Sequence, residues 1–562
     1  MPILKLLFSL LFILVVHAAV DWHFNQPQDA GVDVPSGKLR SLSFAPFREG
    51  YSPLEKKYPI AEHVEEDVRL LADKTETIRT YSSLGGMQPT PDLARKYGLK
   101  MLQGAWIGDT ARNNRLEVDA LIQSANSNPD VVKRVIVGNE VLLRGELNVD
   151  KLIEYIREVK KAVKQPVSYA DVWSMYMKHP QLFAEVDFIT IHILPYWEDE
   201  PIAVDNASEH LEKIVRQVEN EARGIAPGKP ILIGESGWPS AGRQRGLAIP
   251  GVVNEARFIR GMIQVAEHHG FDYNIVEAFN QPWKSNLEGV VGANWGLLSA
   301  DRQPVFPLTG PVQEHANWQT LFTVASGLLL LWVAMFFADL KQMTGLQQLF
   351  WLVCAQWFSA DLVNLAGFEW YTSYSLLQRG YTLILITANI GLAYLVLCRL
   401  ADGFLNRSFK TAALLFKTYR FFVLLAVYKT VMLGIRGRYL SFPVEQLTIP
   451  ALGIVAMSLA SMWSNRRCGV SFLAIAGKRE QYDGRWAAAI FTAILVLILG
   501  ETYAFMDGRD FILAHPGFVE GLPVALKYTL SNQQLINWII CLLVLALPFW
   551  ANQRSHRLSH TQ

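Results

Sequence analysis

Cysteine is scarce in this 562-residue chain and absent from its first part: the four that occur are Cys354, Cys398, Cys468 and Cys541. The stretch from about Asp21 to Trp318 therefore has no disulfide framework and no thiolate metal site. Its stability must come from core packing, which about 300 residues can supply. An excess of one charge is missing too: the net charge of +1 gives no case for a nucleic-acid partner or an acidic substrate. No cluster of His or Cys stands at metal-ligand spacing, and no Gly-rich phosphate loop is present. The reading is of a chain with no metal and no cofactor.

Long apolar runs are also missing from Asp21 to Trp318, and beyond Thr320 they dominate. Candidate membrane spans are Leu321–Ala338, Leu349–Gly367, Tyr381–Cys398, a region ending at Gly434, Leu447–Trp463, Trp486–Gly500 and Leu535–Ala551, or about seven helices by the length criterion. At the N-terminus, "MPILKLLFSLLFILVVHAAV" places Lys5 before an apolar run, with Val16-His17-Ala18 as an acceptable cleavage signal. Residues 1–20 thus read as a signal peptide or a retained anchor, 21–312 as an extracytoplasmic domain and 313–562 as an all-α multi-span membrane domain. Loop charges set the orientation. Arg399, Arg407 and Lys410 cluster in one loop, Arg466, Arg467, Lys478, Arg479 and Arg485 in another, and Arg554 and Arg557 follow the last span. With these on the cytoplasmic side, the C-terminus is cytoplasmic and the domain before Leu321 lies across the membrane. Asp361, Lys429 and Glu501 are ionisable residues in or near spans, and interhelical or interfacial pairing accounts for three scattered charges.

From Leu39 to Lys284 short apolar runs alternate with amphipathic helical patterns. The strand candidates are "LRSLSFAPF", "TIRTYSS", "LKMLQGAWI", "VKRVIVGNE", "PVSYADVW", "VDFITIHILPYW", "PILIGESGW" and "YNIVEAFNQPW". Eight strands alternating with helices over about 250 residues predict an α/β fold, a (β/α)8 TIM barrel. Catalytic groups of such a barrel gather at the carboxyl ends of its strands. Those ends here hold Arg79 and Tyr81, Trp106, Asn139 and Glu140, Asp171 and Trp173, His192, Tyr196 and Trp197, Glu235 and Trp238, and Asn280, Gln281, Trp283 and Lys284.

Two apolar runs end in a glutamate, "VKRVIVGNE" at Glu140 and "PILIGESGW" at Glu235. A carboxylate at the exit of a buried strand is costly unless it is paired or used. Taken alone, Glu140 is a strand-end glutamate paired with Arg79 or Arg144, and each tryptophan is packing between barrel and helix. Taken together, two glutamates at one face suit glycoside cleavage, in which one carboxylic acid protonates the leaving oxygen and the other carboxylate attacks or activates water. Asn139 is placed to bond a sugar hydroxyl, and Trp173, Tyr196, Trp197, Trp238, Trp283 and Trp295 offer flat faces to sugar rings.

"VIVGNE" with "ILIGESGWPS", supported by "IRTYSS", "YADVW" and "FNQPWK", resembles glycoside hydrolase family 17, the β-1,3-glucanases and glucanosyltransferases, over about Leu39 to Leu297. The resemblance implies that Glu140 is the general acid/base and Glu235 the nucleophile of a retaining mechanism. It also implies a β-glucan or gluco-oligosaccharide substrate in an open groove, with Arg79, Tyr81, Asn139, Trp173, Tyr196, Trp238, Trp283 and Lys284 as substrate-binding residues. One departure stands out. Many relatives carry an acidic residue where this chain has Asn280-Gln281, so an auxiliary carboxylate is expected to be missing.

The motifs do not choose between water and a second sugar as acceptor. The layout, a barrel of this type followed by several spans, is similar to the bacterial β-1,6-glucan synthases of rhizobia and relatives, which are linked to periplasmic glucans. That similarity implies a membrane-bound transglycosylase of the inner membrane, its catalytic domain periplasmic, with the bilayer and a separate glucan synthase as partners. A sugar-nucleotide synthase is disfavoured by the lack of a D-x-D triplet. "QYDGRW" (Gln481 to Trp486) has one residue too many for the Q-x-x-R-W of processive synthases and reads as a cytoplasmic loop. A tethered hydrolase is the alternative within the class. An exporter or a sensor with the barrel as an accessory is the alternative outside it.

Overall fold

The short apolar runs form strands in the computed structural model, which describes residues 2–465, 470–472, 475 and 483–560. They are Leu39–Ser43 (β1), Thr75–Arg79 (β2), Lys100–Ala105 (β3), Val132–Asn139 (β4), Val167–Val172 (β5), Ile189–His192 (β6), Ile231–Ser236 (β7) and Asp272–Ile275 (β8). Each pairs in parallel with its neighbour in chain order, and β8 returns to β1 at Leu42 and Ile275, closing the barrel. The expected (β/α)8 barrel is the observed one.

Side chains alternate along each strand. One set points along the barrel axis, where Leu102, Ile136, Ala170, Phe188 and Leu232 make a small cluster of their own. Polar groups share this interior: Ser41 Oγ donates to Asn274 Oδ1 at 2.6 Å, and Asn274 Nδ2 donates to Ser43 Oγ at 2.8 Å. The other set meets the surrounding helices. Helix Val149–Ala162 shows why these form. Asn148 caps it by accepting from the Lys151 amide at 2.9 Å, and Leu152, Ile153, Ile156 and Val159 line the face turned to the strands.

Strand register shifts at three places that matter for the site. The irregularities fall between Ile136 and Asn139, between Ile191 and His192, and between Ile233 and Ser236. Such breaks bend a strand and re-aim the side chains at its end. β8 is shorter than "YNIVEAFNQPW" suggested. It stops at Ile275 because the Glu277 amide donates to the Trp295 carbonyl and the Asn280 amide to Leu298, a segment outside the barrel. Glu277 is thereby a strand-end residue.

Pro27–Glu314 makes one compact unit, and the helices before and after it make another. In the second, eight helices among the described residues are long and apolar enough to cross a membrane: Ile3–Phe24, Trp318–Met335, Gly345–Tyr371, Leu376–Phe404, Ala412–Arg436, Val444–Trp463, Gly484–Met506 and Gln533–Ala551. Seven of them correspond to the spans read from the sequence after Thr320. Capping boxes start two of these helices, at Thr344 with Gln347 and at Ser375 with Gln378. Polar residues link four of them. Glu369 accepts from Gln446 Nε2 at 2.7 Å, Gln446 Oε1 accepts from the Tyr381 hydroxyl at 2.9 Å, and Lys429 lies 4.7 Å from the Tyr381 ring. Lys429 thus has the interhelical contact expected of it. The basic cluster Arg466, Arg467, Lys478 and Arg479, Cys468, and the start of "QYDGRW" fall outside the described residues.

Candidate active site

The end of β4 turns sharply. Gly138 and Glu140 both have left-handed backbone, with φ of 87° and 53°. A glutamate there is uncommon and costs about 1–3 kcal/mol, a cost that persists where the surroundings over-determine it. Here the Glu140 amide donates to the Ala170 carbonyl at 2.8 Å, and Arg144 holds the Asn139 carbonyl. Strand β7 reaches the same mouth through Gly234, where a Cβ would sit 2.4 Å from Thr190 Cγ2 and 3.2 Å from His192 Cδ2. Only glycine lets β7 approach β6 this closely, and the next residue is Glu235.

Arg79, 1% exposed, joins the two strand ends. Its Nη1 donates to the Gly234 carbonyl at 2.7 Å and to Glu235 Oε1 at 3.1 Å, and its Nη2 donates to Asn139 Oδ1 at 2.6 Å. The Tyr81 ring lies 4.9 Å from the guanidinium. Arg79 and Asn139, read as sugar contacts, are in the structure the groups that hold Glu235 and the β4 end. Glu140 pairs with neither Arg79 nor Arg144, the partners its isolated reading gave it. It meets His192 instead: Nδ1 lies 3.0 Å from Glu140 Oε1, and Nε2 lies 3.6 Å from Glu235 Oε1. One ligand atom each from Glu140, His192 and Glu235 fall within 4.8 Å of one another, a spacing at which a cation fits.

The electrostatics differ around the mouth. Burial pushes the Glu140 carboxyl up, but the His192 contact and the charges of His192, Arg144 and Arg79 together hold it below the ordinary value. Burial, opposed by the Tyr169 hydroxyl and reinforced by the Glu140 charge, pushes Asp171 up to about 6. Glu277, 1% exposed, accepts from Lys284 Nζ at 3.0 Å. Burial pushes its carboxyl up to about 7, with Lys284 opposing and the Glu235 and Glu288 charges adding to the rise.

The aromatic residues divide. Trp173, Trp197 and Trp283 are half-buried, and Trp106 is 43% exposed beneath Arg144. Trp173 Nε1 donates to Glu198 at 3.2 Å and Trp283 Nε1 to Gln281 at 2.9 Å, which fixes both rings. Tyr196 and Trp238 are different: both are fully enclosed. The Trp238 indole donates to the Ile249 carbonyl at 2.9 Å and packs on Phe258 and Tyr196, while the Tyr196 hydroxyl donates to the Arg243 carbonyl. The expectation of sugar-facing rings at these two positions is corrected, because the chain beyond β7 folds back over them.

The expected loss of an auxiliary carboxylate is corrected as well. Asn280 and Gln281 point inward, toward Asn294 and the Ala45 carbonyl, but Glu277 and Glu288 stand near Glu235. Glu277 escaped notice because its run reads as one longer strand. His192 was visible at a strand end, but a lone histidine closing "ITIH" gives no sign of two glutamates beside it.

Comparison with known proteins gives the same picture of the barrel. Residues 42–296 match the BtgE/BtgC glycoside hydrolase domain. A glucan 1,3-beta-glucosidase of Arthroderma benhamiae is 29% identical over 257 residues, covering 43% of this chain and 82% of the relative. A probable beta-glucosidase btgE of Neosartorya fischeri is 27% identical over 274 residues, 47% of this chain and 46% of the relative, so this chain spans less than half of that protein's length. A crystal structure of a glycoside hydrolase family 17 beta-1,3-glucanosyltransferase from Rhizomucor miehei is 27% identical, covers 48% of this chain and 96% of its own, and superposes with a TM-score of 0.41. The barrel of this chain is thus similar, over residues 42–296, to the BtgE/BtgC glycoside hydrolase domain and to glucan-cleaving relatives.

Proposed function

We propose that the protein is a membrane-bound retaining β-glucan transglycosylase acting on β-1,3-linked glucan. The observation that carries this reading is the approach of Glu140 and Glu235, with carboxylate oxygens within 4.8 Å at the ends of β4 and β7. Retaining glycosidases hold their two carboxyl groups about 5–5.5 Å apart, whereas inverting ones leave about 6.5–9.5 Å for a water. The glucan 1,3-beta-glucosidase and beta-glucosidase names of the relatives support the substrate class.

In this reading Glu235 attacks the anomeric carbon as Glu140 gives its proton to the departing glycosidic oxygen. The bond to that oxygen breaks and the bond to Glu235 forms. An incoming hydroxyl then attacks, giving its proton to Glu140 and releasing Glu235. Arg79, itself buried, donates to Glu235 Oε1 and holds that side chain in place. Trp173, Trp283 and the exposed Trp106 offer ring faces to the sugar, with Tyr81 and Lys284 as further contacts.

Transfer rather than hydrolysis is supported by the eight apolar helices, which a degradative enzyme would gain little from. The basic residues of the sequence between the spans support a periplasmic barrel, and in this reading transfer there forms branches, β-1,6 links among them, on exported glucan supplied by a separate synthase. Hydrolysis at the membrane is the second reading, favoured by the glucosidase relatives. The test incubates the full chain in detergent with β-1,3-gluco-oligosaccharides, with Glu235→Gln as control. Products longer than the substrate, with their linkages assigned, support transfer. Shorter products alone leave a tethered hydrolase, and no turnover overturns both.

A further inference from the structure

The imidazole of His192 sits between the two glutamates with no exposed surface. Its Nδ1 faces Glu140 Oε1 at 3.0 Å, within hydrogen-bond distance, and when Glu140 is ionised Nδ1–H is the donor. In that tautomer Nε2 carries a lone pair, and among the described residues it has no hydrogen-bond partner. Glu235 Oε1 is 3.6 Å away, too far for a hydrogen bond. A buried lone pair facing a carboxylate across such a gap is unfavourable when nothing lies between them.

The same spacing suits two ligands of one metal ion. Zinc binds imidazole nitrogen and carboxylate oxygen at about 2.0–2.2 Å, so ligand atoms around a tetrahedral ion lie about 3.4 Å apart. Metal-bound histidines commonly donate their other N–H to a carboxylate, which fixes the tautomer and strengthens the ligand. Glu140 already makes that contact, and its nearest oxygen lies within the 4.8 Å spread of the group. Two anionic carboxylates with one imidazole also suit a borderline cation better than Ca²⁺ or Mg²⁺, which prefer all-oxygen shells. The opposing charge is Arg79, 3.1 Å from Glu235 Oε1. Glu277 and Glu288 offset it in part by their proximity to Glu235.

We propose that His192 Nε2 and Glu235 Oε1, with Glu140 as the carboxylate that orients the imidazole, form a binding site for a transition-metal dication of the Zn²⁺ type. A metal held there occupies the carboxylate that must attack the sugar, so it and glucan exclude one another. The inhibitory consequence rests on the function proposed above; the binding does not.

The test is equilibrium titration of the full chain in detergent with Zn²⁺ alone, followed by the same titration with a β-1,3-gluco-oligosaccharide present. The expected result is one saturable Zn²⁺ per chain, weakened by the oligosaccharide and little affected by Mg²⁺. His192→Asn is expected to weaken Zn²⁺ binding by about tenfold or more, its fold checked by circular dichroism. Should that variant not fold, Glu235→Gln, which keeps the side-chain shape, carries the same comparison. A Co²⁺-loaded wild type is expected to show visible bands that either variant loses. Unchanged Zn²⁺ affinity in a folded variant, or no saturable binding at millimolar Zn²⁺, would overturn the site. Glucan turnover without Zn²⁺ binding removes this site alone, and Zn²⁺ binding without turnover removes the proposed function alone.

Discussion

The two glutamates at the barrel mouth stand in opposite surroundings. Glu235 ends a strand that a glycine lets run close to its neighbour, and a buried arginine grips it. Glu140 sits one residue past β4 in left-handed backbone, a quarter exposed, and meets the His192 imidazole. One carboxylate is pinned by a guanidinium, while the other is more accessible and touches an imidazole. The sequence motifs could not show this contrast, since each consists of an apolar run followed by a glutamate.

The sharpest way to break the contrast is at the pinned side. Glu235→Gln is expected to lower turnover of β-1,3-gluco-oligosaccharides by about 10,000-fold or more, as loss of a nucleophile does elsewhere. A loss confined to tenfold in the same assay would dissolve the distinction. On the other side, Glu140→Gln is expected to cost about 100- to 10,000-fold on natural substrate. The loss should be much smaller on a glucosyl fluoride, whose leaving group needs no proton, and steady-state rates on the two substrates decide it.

Trp238 sharpens the comparison from outside the mouth. Because it is enclosed rather than facing sugar, Trp238→Ala is expected to lower stability by about 3–5 kcal/mol, read by thermal or denaturant unfolding of the barrel. A variant of wild-type stability with a raised KM would restore the sugar-facing reading.

A smaller effect concerns Glu277. Its carboxyl is pushed up to about 7 in the fold, against 4.5 as the ordinary value. The folded chain therefore keeps a proton at pH values where the unfolded chain has lost it, so this group's contribution falls as pH rises from 4.5 through 7. Glu277→Gln leaves Lys284 without its partner and should be less stable throughout. Its stability disadvantage relative to wild type should shrink over that pH window, and melting temperatures at several pH values measure this. A gap that widens with pH contradicts the burial argument.

How much was legible follows from what a sequence encodes directly. Strand period and length predict eight strands, and a carboxylate closing an apolar run is conspicuous, so the barrel and both glutamates were readable. Spans of membrane length were readable for the same reason. What a residue faces past the end of a strand is not encoded in period, because the chain turns there. Trp238, three residues after Glu235, is therefore covered, and Arg79 turns to Glu235 rather than to solvent. His192 became significant only when the register shift between β6 and β7 set it opposite Glu235.

The most direct test of the central claim is to treat the full chain with a 2-deoxy-2-fluoro β-glucosyl inactivator extended by a β-1,3-linked glucose, then map the adduct by peptide mass spectrometry. The account predicts a single glycosyl adduct on Glu235, absent from Glu235→Gln. An adduct on another residue, or none from active enzyme, would contradict it.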